Sequence, residues 1–360
     1  MERAMKILHI AETLKGGLET YLRMVSGFQQ NSPVISQAKF ILPGPVDWLS
    51  SQDTHVVPTA RSPLALATYA AEVRKIIRRE RPAVLHLHSS IAGGIVRAMA
   101  LLGQVPQETK IVYCSHGWAF DQIGPSYKKS IYRWIEWLLS YWSDAIICIS
   151  HHELRIAEKF GIKRCTCIPN GITPALATQE QAALPKASLP HPRRILFVGR
   201  LDRQKGIDAL LESYARVRPD FKLIVVGGAV RNDLSLAHSE DIEFRGWLEK
   251  DELDAAYRSC DAIIVPSRWE GFGLVAVEAM ARSKPVFASA VGGLVDIVED
   301  TRSGRLFPLD RLDEMLREID QISDEDMVRM GRAGREIFEK KYTADRMNSA
   351  IVDLYRESVL

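Results

Sequence analysis

Short apolar runs alternate along this chain with longer segments in which apolar residues recur at helical spacing. In the first half, the apolar runs predict strands at 7–11, 84–88, 111–115 and 145–150. The amphipathic segments predict helices at 19–29, 91–102 and 127–141. Continuous apolar strands are buried on both faces, and strand–helix alternation is typical of parallel sheets. The first half is therefore predicted to form a parallel sheet covered by helices on both faces.

The alternation begins again in the second half of the chain. Strands are predicted at 194–199, 222–227, 262–265 and 285–288, with helices at 207–217, 250–259, 274–282 and from residue 294 onward. Between the halves, residues 173–192 are rich in Ala, Pro and Gln, which is typical of an interdomain linker. We therefore predict an α/β protein with two Rossmann-like, doubly wound domains, residues 1–172 and 193–343. Ligands of such open sheets lie beyond the carboxyl ends of the strands, so the domains are expected to face each other across a cleft.

Composition excludes several classes of protein. Lys and Arg number 47 against 45 Asp and Glu, so the overall charge gives no sign of nucleic-acid binding and we expect no nucleic-acid partner. The five cysteines are odd in number and lie mostly in apolar runs, which predicts reduced thiols in a reducing compartment, the cytoplasm. The N-terminal stretch has an acidic residue and only a short apolar run, so we interpret it as a first strand and not a signal peptide. No apolar stretch is long enough to cross a bilayer.

One strand-to-helix loop carries the most informative chemistry, within the sequence PSRWEGFGLVAVEAM at 266–280. The amides of such a loop, together with the helix dipole, suit a phosphate, and Gly271 and Gly273 lack a Cβ that would hold the anion away. Glu270 lies beside the anion's position. Glu278 follows a little over one turn into the helix, where it can accept hydrogen bonds from a vicinal diol. The alternative is a helix that begins with glycine and carries two solvated glutamates.

A second loop, GRLDRQKG at 199–206, joins a strand to a helix in the same predicted domain. Arg200 follows the strand and Lys205 precedes the helix, and both side chains are charged at neutral pH. Two cations on one loop form a clamp for two linked phosphates. The alternative, two surface cations on a turn, is weakened by the glycines that bound the loop.

The first predicted domain offers two candidate features at strand ends. Gly16 and Gly17 follow the first strand and allow backbone to approach a ligand, but the dinucleotide spacing Gly-x-Gly-x-x-Gly is absent, which disfavours a nicotinamide-dependent dehydrogenase. His116 ends an apolar strand, where a functional side chain would face the cleft. On its own, His116 is better interpreted as a strand-end histidine satisfied by backbone, and the same holds for His86 and His88.

Taken together, these loops resemble retaining glycosyltransferase family 4, which has the two-domain GT-B fold, over nearly the whole chain. The most specific part is the Glu-x7-Glu spacing from Glu270 to Glu278, preceded by the clamp loop 199–206. The segment IPNGI at 168–172 and the glycine pair at 292–293 also match that family. The chain departs from the family pattern where VGGA at 226–229 lacks an acidic residue and where Asp296 replaces a common glutamate, which affects nucleotide packing and not the donor class.

The resemblance implies a role for each candidate residue. Arg200 and Lys205 would bind the donor diphosphate, with Gly16 and Gly17 beside it, and Glu278 would bind the ribose hydroxyls. Glu270 would bind a hydroxyl of the donor sugar, and His116 would lie near the anomeric carbon. The catalytic candidates are thus His116, Glu270, Arg200 and Lys205, and the remaining donor-binding candidates are Gly271, Phe272, Gly273 and Leu274.

The implied activity is that of a hexosyltransferase of class EC 2.4, which moves a sugar from a UDP- or GDP-sugar to a glycan or lipid-linked acceptor. No paired-aspartate loop can be assigned to a metal ion, so we expect neither a metal nor another cofactor. A role in envelope polysaccharide or lipopolysaccharide synthesis is favoured. Two alternatives remain: an inactive, GT-B-like nucleotide-binding protein, and a sugar-nucleotide epimerase or phosphorylase of the same fold.

Two basic segments of the sequence predict that the protein associates with a membrane surface. The helix 127–141 mixes cations with aromatic residues, and residues 74–81 add a further basic run. Such patches can rest on an anionic membrane, here the inner face of the cell membrane. The favoured alternative is that 127–141 is a buried crossover helix with a solvated end. The tail 344–360 is amphipathic and, by the resemblance, packs back onto the first domain.

Overall fold

The computed structural model describes residues 4–14, 16–60, 62–173, 192–228 and 241–359. The chain forms two compact units. The first consists of Met1–Gly171 together with Ala344–Leu360, and the second of Ile172–Thr343. Of the predicted linker 173–192, residues 174–191 lie outside the described part of the chain.

The first unit is a seven-stranded parallel sheet flanked by helices. Its strands are β1 (Met5–Ala11), β2 (Ile35–Leu42), β3 (Thr54–Val56), β4 (Val84–His88), β5 (Lys110–Cys114), β6 (Ala145–Cys148) and β7 (Cys165–Cys167), in the spatial order 3-2-1-4-5-6-7. Its helices are α1 (Gly17–Gln30), α2 (Pro63–Glu80), α3 (Ser90–Leu101), α4 (Ser126–Leu139), α5 (His151–Lys159) and α12 (Ala344–Val359). The strands and helices predicted for the first half are confirmed, and the sequence analysis missed β2, β3, β7, α2 and α5.

The two faces of this sheet differ in chemistry because side chains alternate along each strand. One face packs an apolar core that includes Leu8, Leu85 and Tyr113. On the other face the register pairs His9 of β1 with His86 of β4, and His88 follows on the same side. All three histidines are fully buried. The second face therefore places a cluster of polar rings in the interior.

Helix α12 is part of the first unit although it is the last element of the chain. Its buried face includes Met347, Ile351 and Tyr355. The Tyr355 hydroxyl lies 2.5 Å from His86 Nδ1, and Gln29 of α1 donates to the same hydroxyl at 3.3 Å. Since burying each large apolar side chain contributes roughly 1.5–3 kcal/mol, this face anchors α12 beside α1.

The second unit contains a six-stranded parallel sheet. Its strands are β8 (Arg193–Val198), β9 (Phe221–Val226), β10 (Ile242–Gly246), β11 (Ala262–Val265), β12 (Val286–Ser289) and β13 (Gly304–Phe307), in the order 10-9-8-11-12-13. Its helices are α6 (Ile207–Val217), α7 (Lys250–Ser259), α8 (Leu274–Met280), α9 (Leu294–Ile297), α10 (Leu312–Gln321) and α11 (Asp324–Lys341). The predicted strands and helices are confirmed here too, and β10, β13, α10 and α11 were not predicted.

Helix α4 differs from the favoured sequence interpretation. Its buried residues are Glu136 and Leu139, whereas Tyr127, Ile131 and Trp134 are all more than half exposed. The interpretation of this segment as a buried crossover helix is therefore wrong. Among the described residues, no helix combines the length and the hydropathy that crossing a membrane would need.

Candidate functional site

The second unit brings Lys205 and Glu270 into direct contact. Lys205 lies in the loop after β8, and its Nζ is 2.6 Å from Oε2 of Glu270, in the loop after β11. The hydroxyl of Ser267 donates to the same carboxylate oxygen at 3.2 Å. Both charged side chains are largely buried, at 18% and 13% exposure. The two loops singled out in the sequence thus form one site at the carboxyl ends of β8 and β11.

Two glycines permit close approach of other loops to the loop that carries Glu270. Gly206 has φ 73°, and a Cβ at this position would lie 1.8 Å from the carbonyl oxygen of Pro266. Gly292 has φ 53°, and its Cβ would lie 1.7 Å from the carbonyl oxygen of Glu270. Any other residue would push these backbones apart. The loop that carries Glu270 is therefore in backbone contact with the loop that carries Lys205, through Gly206, and with the loop after β12, through Gly292.

Arg200 is held by its own loop. Its Nη2 donates to Gln204 Oε1 at 2.9 Å and lies 3.2 Å from Asp202 Oδ2. The other oxygen of Asp202 accepts from the Lys205 amide at 3.0 Å. The Arg200 side chain is 42% exposed and its guanidinium has five N–H donors, so it retains donors for an anion. Gln204 and Asp202 therefore hold the guanidinium of Arg200 in a fixed orientation within the clamp loop.

Glu278 occupies a different environment within the same unit. It lies in α8, and the Tyr257 hydroxyl of α7 donates to its Oε2 at 2.6 Å. Burial raises the pKa of Glu278, and this effect outweighs the Tyr257 hydrogen bond and the nearby charges of Arg282 and Lys205, which lower it. Tyr257 was not singled out from the sequence, because it is one aromatic residue on the buried side of an amphipathic helix.

The glycine-rich segment between Glu270 and Glu278 leads into a short helix. Gly273, at φ 113°, precedes α8, which begins at Leu274 and ends earlier than the predicted residue 282. Gly271 is buried, and Phe272 is only 4% exposed with its ring packed against Tyr342 at 5.8 Å. Phe272 therefore has only its backbone available for a ligand.

The candidates of the first unit lie at the ends of β1 and β5. Gly16, at φ 71°, precedes α1, and Gly17 is the first residue of that helix. His116 follows β5 at φ 54° and is partly exposed. Its Nε2 lies 3.0 Å from His88 Nδ1, and the ring of Tyr21 packs edge-on against it at 4.6 Å.

The interpretation of these histidines as satisfied by backbone is wrong. His116 bonds to the side chain of His88, His88 to that of His9, and His86 to the hydroxyl of Tyr355. Burial lowers the pKa of His116 to about 3, so its ring is neutral at physiological pH. The sequence showed that two of these rings share a strand face, but the bonds to His9 and Tyr355 depend on strand order and on α12.

Within the described residues, one side-chain group is close enough to share a metal ion. The ring nitrogens of His9, His86 and His88 lie within 4.8 Å of one another. The His9 Nδ1 and His88 Nε2 atoms are 3.0 Å apart, at hydrogen-bond distance. Hydrogen bonds therefore account for His9, His88 and the Nδ1 atom of His86, whereas His86 Nε2 is buried without a hydrogen-bond partner.

Two family models match the chain. The model of glycosyl transferases group 1 covers residues 181–337, and the model of glycosyltransferase family 4 covers residues 35–176. Both candidate glutamates and the clamp lie inside the first match, and His116 lies inside the second.

Similar proteins and structures cover most of the chain. A 41.2 kDa protein in the cps region of Klebsiella pneumoniae is 30% identical over 366 residues, which is 98% of this chain and 99% of the relative. The Escherichia coli UDP-Gal:alpha-D-GlcNAc-diphosphoundecaprenol alpha-1,3-galactosyltransferase is 25% identical, over 79% of this chain and 78% of the enzyme. The Anabaena protein HepE, solved in complex with UDP-glucose, superposes with a TM-score of 0.78 at 18% identity, over 98% of this chain and 100% of that one. The chain therefore belongs to glycosyltransferase family 4 and has the GT-B fold.

Proposed function

We propose that this glycosyltransferase moves a hexose, with retention of anomeric configuration, from a UDP- or GDP-sugar to a lipid-linked glycan acceptor, without a metal ion. The observation that carries the proposal is the Lys205–Glu270 ion pair at the carboxyl ends of two neighbouring strands, with Arg200 on the same loop as Lys205. The pair sets a cation for phosphate directly against a carboxylate for a sugar hydroxyl. A nucleoside diphosphate sugar has both groups in adjacent positions.

Charge development explains how these residues would assist the reaction. Breaking the bond between the anomeric carbon and the diphosphate builds negative charge on the leaving group, and preorganised donors stabilise that charge most effectively. Arg200 and Lys205 supply fixed positive charge for this purpose. Two cations take the place that a divalent metal holds in metal-dependent enzymes.

The state of Glu270 favours front-face attack. One of its carboxylate oxygens already binds Lys205 Nζ and the Ser267 hydroxyl. A carboxylate that accepts two hydrogen bonds, one of them from a cation, is a weak nucleophile. We therefore propose that the acceptor hydroxyl attacks on the same face that the diphosphate leaves, and that a leaving-group oxygen takes its proton. The product then keeps the donor's anomeric configuration.

Glu278 is suited to the ribose. Tyr257 occupies one of its oxygens, which leaves the second oxygen as an acceptor for a vicinal diol. Burial raises the pKa of this carboxyl group, and the Tyr257 hydrogen bond and the charges of Arg282 and Lys205 act against burial, toward the ionised, accepting form. This arrangement supports a nucleoside at Glu278 with its diphosphate toward Lys205.

A lipid-linked acceptor is supported by the exposed face of α4. Tyr127, Ile131 and Trp134 are spaced along one face of the helix and are 64%, 53% and 60% exposed, and Ile123 in the preceding loop is 65% exposed. Lys128 lies beside them and is also exposed. An apolar and aromatic face flanked by cations is typical of helices that bind anionic membrane surfaces. The E. coli relative, by its name, acts on a diphosphoundecaprenol-linked sugar.

The experiment that tests the proposal is a donor screen with the purified protein. UDP-glucose, UDP-galactose, UDP-N-acetylglucosamine and GDP-mannose are each incubated with the enzyme in EDTA, and the release of nucleoside diphosphate and the anomeric configuration of the freed or transferred sugar are measured. We expect slow release of UDP or GDP from one donor, with an α-linked product from an α-linked donor. Binding without release would favour an inactive nucleotide-binding protein, and an inverted product would exclude the retaining mechanism.

A further inference from the structure

A continuous chain of hydrogen bonds runs through the interior of the first unit and ends at His116. Gln29 Oε1 lies 2.9 Å from His9 Nε2, and His9 Nδ1 lies 3.0 Å from His88 Nε2. His88 Nδ1 then lies 3.0 Å from His116 Nε2. The four side chains come from α1, β1, β4 and the residues after β5, so only the folded sheet brings them together.

Burial keeps each of the three imidazole rings in this row of hydrogen bonds neutral. His9 and His88 are fully buried, and desolvation lowers the pKa of His9 to about 4 and that of His88 well below its ordinary value. Burial has the same effect on His116. A neutral imidazole has one N–H donor and one acceptor nitrogen, so each ring can donate only once along the chain.

Because each ring donates only once, all the hydrogen bonds in this row must be donated in the same direction. A row of such rings has two self-consistent arrangements, and the amide of Gln29 selects between them. Gln29 presents its oxygen to His9 and its nitrogen to the Tyr355 hydroxyl. An amide oxygen can only accept, so the proton of His9 must be on Nε2. His9 Nδ1 then accepts from His88 Nε2–H, and His88 Nδ1 accepts from His116 Nε2–H.

We infer that Gln29, His9 and His88 are positioning residues that hold His116 in its Nε2–H tautomer and leave its Nδ1 as a hydrogen-bond acceptor for a ligand hydroxyl. His116 is the partly exposed end of the chain, whereas the residues behind it are buried. Its Nε2 is committed to His88, so Nδ1 is the ring nitrogen left for a ligand. The inference rests on the proposed function, because it takes the ligand to be a sugar that donates a hydroxyl hydrogen.

Fixing the tautomer matters because the two forms recognise opposite groups. An unprotonated Nδ1 accepts from a sugar hydroxyl, whereas an Nδ1–H would require an acceptor and would leave a hydroxyl proton without a partner. Residues behind a catalytic or ligand-binding imidazole commonly set its tautomer in this way. A sugar that lacks the hydroxyl facing His116 should react more slowly for the same reason.

The direct test is nuclear magnetic resonance on protein labelled with ¹⁵N-histidine, with signals assigned by single His→Gln variants. Ring ¹⁵N shifts distinguish a protonated from an unprotonated nitrogen without reference to activity. We expect His9, His88 and His116 each to carry the proton on Nε2 at pH 7. An Nδ1–H signal for His116 in the wild-type protein would overturn the inference even if the protein proves to be an active glycosyltransferase.

Substitution of Gln29 tests whether its amide oxygen sets the direction of donation and thereby the tautomer of His116. Gln29→Met keeps the size of the side chain and removes the acceptor, so His116 should populate both tautomers and kcat should fall about two- to tenfold, the size of one neutral hydrogen bond. The donor KM should change little, because the clamp lies elsewhere in the chain. Gln29→Glu, which retains an acceptor oxygen, should restore the single tautomer. Gln30→Met, at the exposed next position, is the matched control.

The outcomes distinguish the hydrogen-bonded histidine row from the role of His116 in the reaction. A fixed His116 tautomer in the wild type together with normal kcat in His116→Ala would leave the hydrogen-bond chain intact and remove His116 from the proposed reaction. An unchanged tautomer in Gln29→Met would show that Gln29 does not set it. Stoichiometric zinc in the purified protein, found by mass spectrometry and lost in His86→Gln, would mean that these nitrogens bind a metal, which would also overturn the inference.

Discussion

Lys205 and Glu270 are 65 residues apart in the sequence, yet Lys205 Nζ contacts Glu270 Oε2 at 2.6 Å. Each residue therefore already has an opposite charge as its partner before a ligand binds. A diphosphate that binds Lys205 must compete with Glu270 or share the ammonium with it, and three donors on Lys205 allow sharing. Under the proposed function, the pair would thus link recognition of the phosphate to recognition of the sugar.

Loss of the lysine should weaken nucleotide binding. In Lys205→Ala we expect the affinity for UDP or GDP to fall by about 1.5–3 kcal/mol, roughly 10- to 150-fold, because a charge-assisted hydrogen bond to phosphate is lost. Isothermal titration calorimetry measures the effect directly. Lys222→Ala, at an exposed position of β9, serves as the control. Equal affinities for wild-type and Lys205→Ala protein would remove the clamp from the site.

Chelation should leave the reaction intact. If Arg200 and Lys205 neutralise the leaving diphosphate, then transfer after exhaustive treatment with EDTA should proceed at the untreated rate. Rates are compared before chelation, after it, and after magnesium or manganese is returned. A rate that disappears with EDTA and returns with either ion would show that a metal carries this charge.

The sequence predicted those parts of the site that lie close together along the chain, and missed the contacts that depend on the fold. Arg200 and Lys205 share one loop, and Glu270 and Glu278 share one strand-to-helix unit, so their spacing is visible in a single stretch. Tyr257, which positions Glu278, comes from the preceding helix and has no local motif. The contact between Lys205 and Glu270 depends on β8 and β11 being neighbours, which alternation of strands and helices does not specify.

The missed elements have similarly physical causes. Strand β2 has the sequence ISQAKFIL, whose polar residues fall at exposed or partly exposed positions and interrupt the apolar run. Strand β3 has three residues, all at least partly exposed, and lies at the edge of its sheet. Neither strand has the continuous apolar run that was used to predict buried central strands.

The two glutamates should respond differently to substitution. Ribose hydroxyls are the same in the ground state and the transition state, so Glu278→Ala should mainly raise the donor KM. Tyr257→Phe, which removes the hydroxyl that holds Glu278, should raise KM in the same direction by a smaller factor. Steady-state kinetics with one defined donor measure both. A fall in kcat at constant KM in Glu278→Ala would contradict its assignment to the ribose.

Glu270 and His116 are expected to act on kcat. If their contacts strengthen as positive charge develops at the anomeric carbon, Glu270→Gln and His116→Ala should lower kcat about tenfold for each 1.4 kcal/mol of stabilisation lost. Thermal unfolding of each variant shows whether the protein remains folded. A His116→Ala variant with reduced stability but wild-type kcat would assign this histidine a structural role only.

The exposed face of α4 predicts membrane binding. Replacing both Trp134 and Tyr127 by Ser should weaken binding to vesicles of phosphatidylglycerol and phosphatidylethanolamine, since each buried aromatic side chain contributes about 1.5–3 kcal/mol. Co-sedimentation with such vesicles at low and high salt measures the change. Trp247→Ser is the control, because Trp247 is 65% exposed in the second unit. If the double variant sediments as the wild type does, α4 does not contact the membrane.

Glu80 predicts a pH-dependent part of the stability. Its carboxylate, at 7% exposure, lies 2.7 Å from Lys6 Nζ and 2.9 Å from Lys39 Nζ, with His55 Nε2 at 3.0 Å and Arg79 Nη2 at 3.4 Å. Burial alone would raise the pKa of Glu80, but the hydrogen bonds and charges of Lys6 and Lys39 outweigh it and lower the pKa from 4.5 to about 2. The folded state therefore binds this proton less readily than the unfolded state does.

The sign of the effect follows from that difference. Above pH 4.5 Glu80 is ionised in both states and contributes its full stabilisation, of the order of 3 kcal/mol for a shift of this size. As the pH falls from 4.5 toward 2, the unfolded chain takes up a proton first, and this contribution is lost. Glu80→Gln should therefore be less stable than the wild type at pH 7, and the difference in their free energies of unfolding should shrink as the pH falls from 4.5 toward 2.

Urea unfolding of the first unit at several pH values measures this difference, with Glu72→Gln at an exposed position of α2 as the control. A difference between wild type and Glu80→Gln that stays constant from pH 7 to pH 2.5 would show that the cations around Glu80 do not depress its pKa.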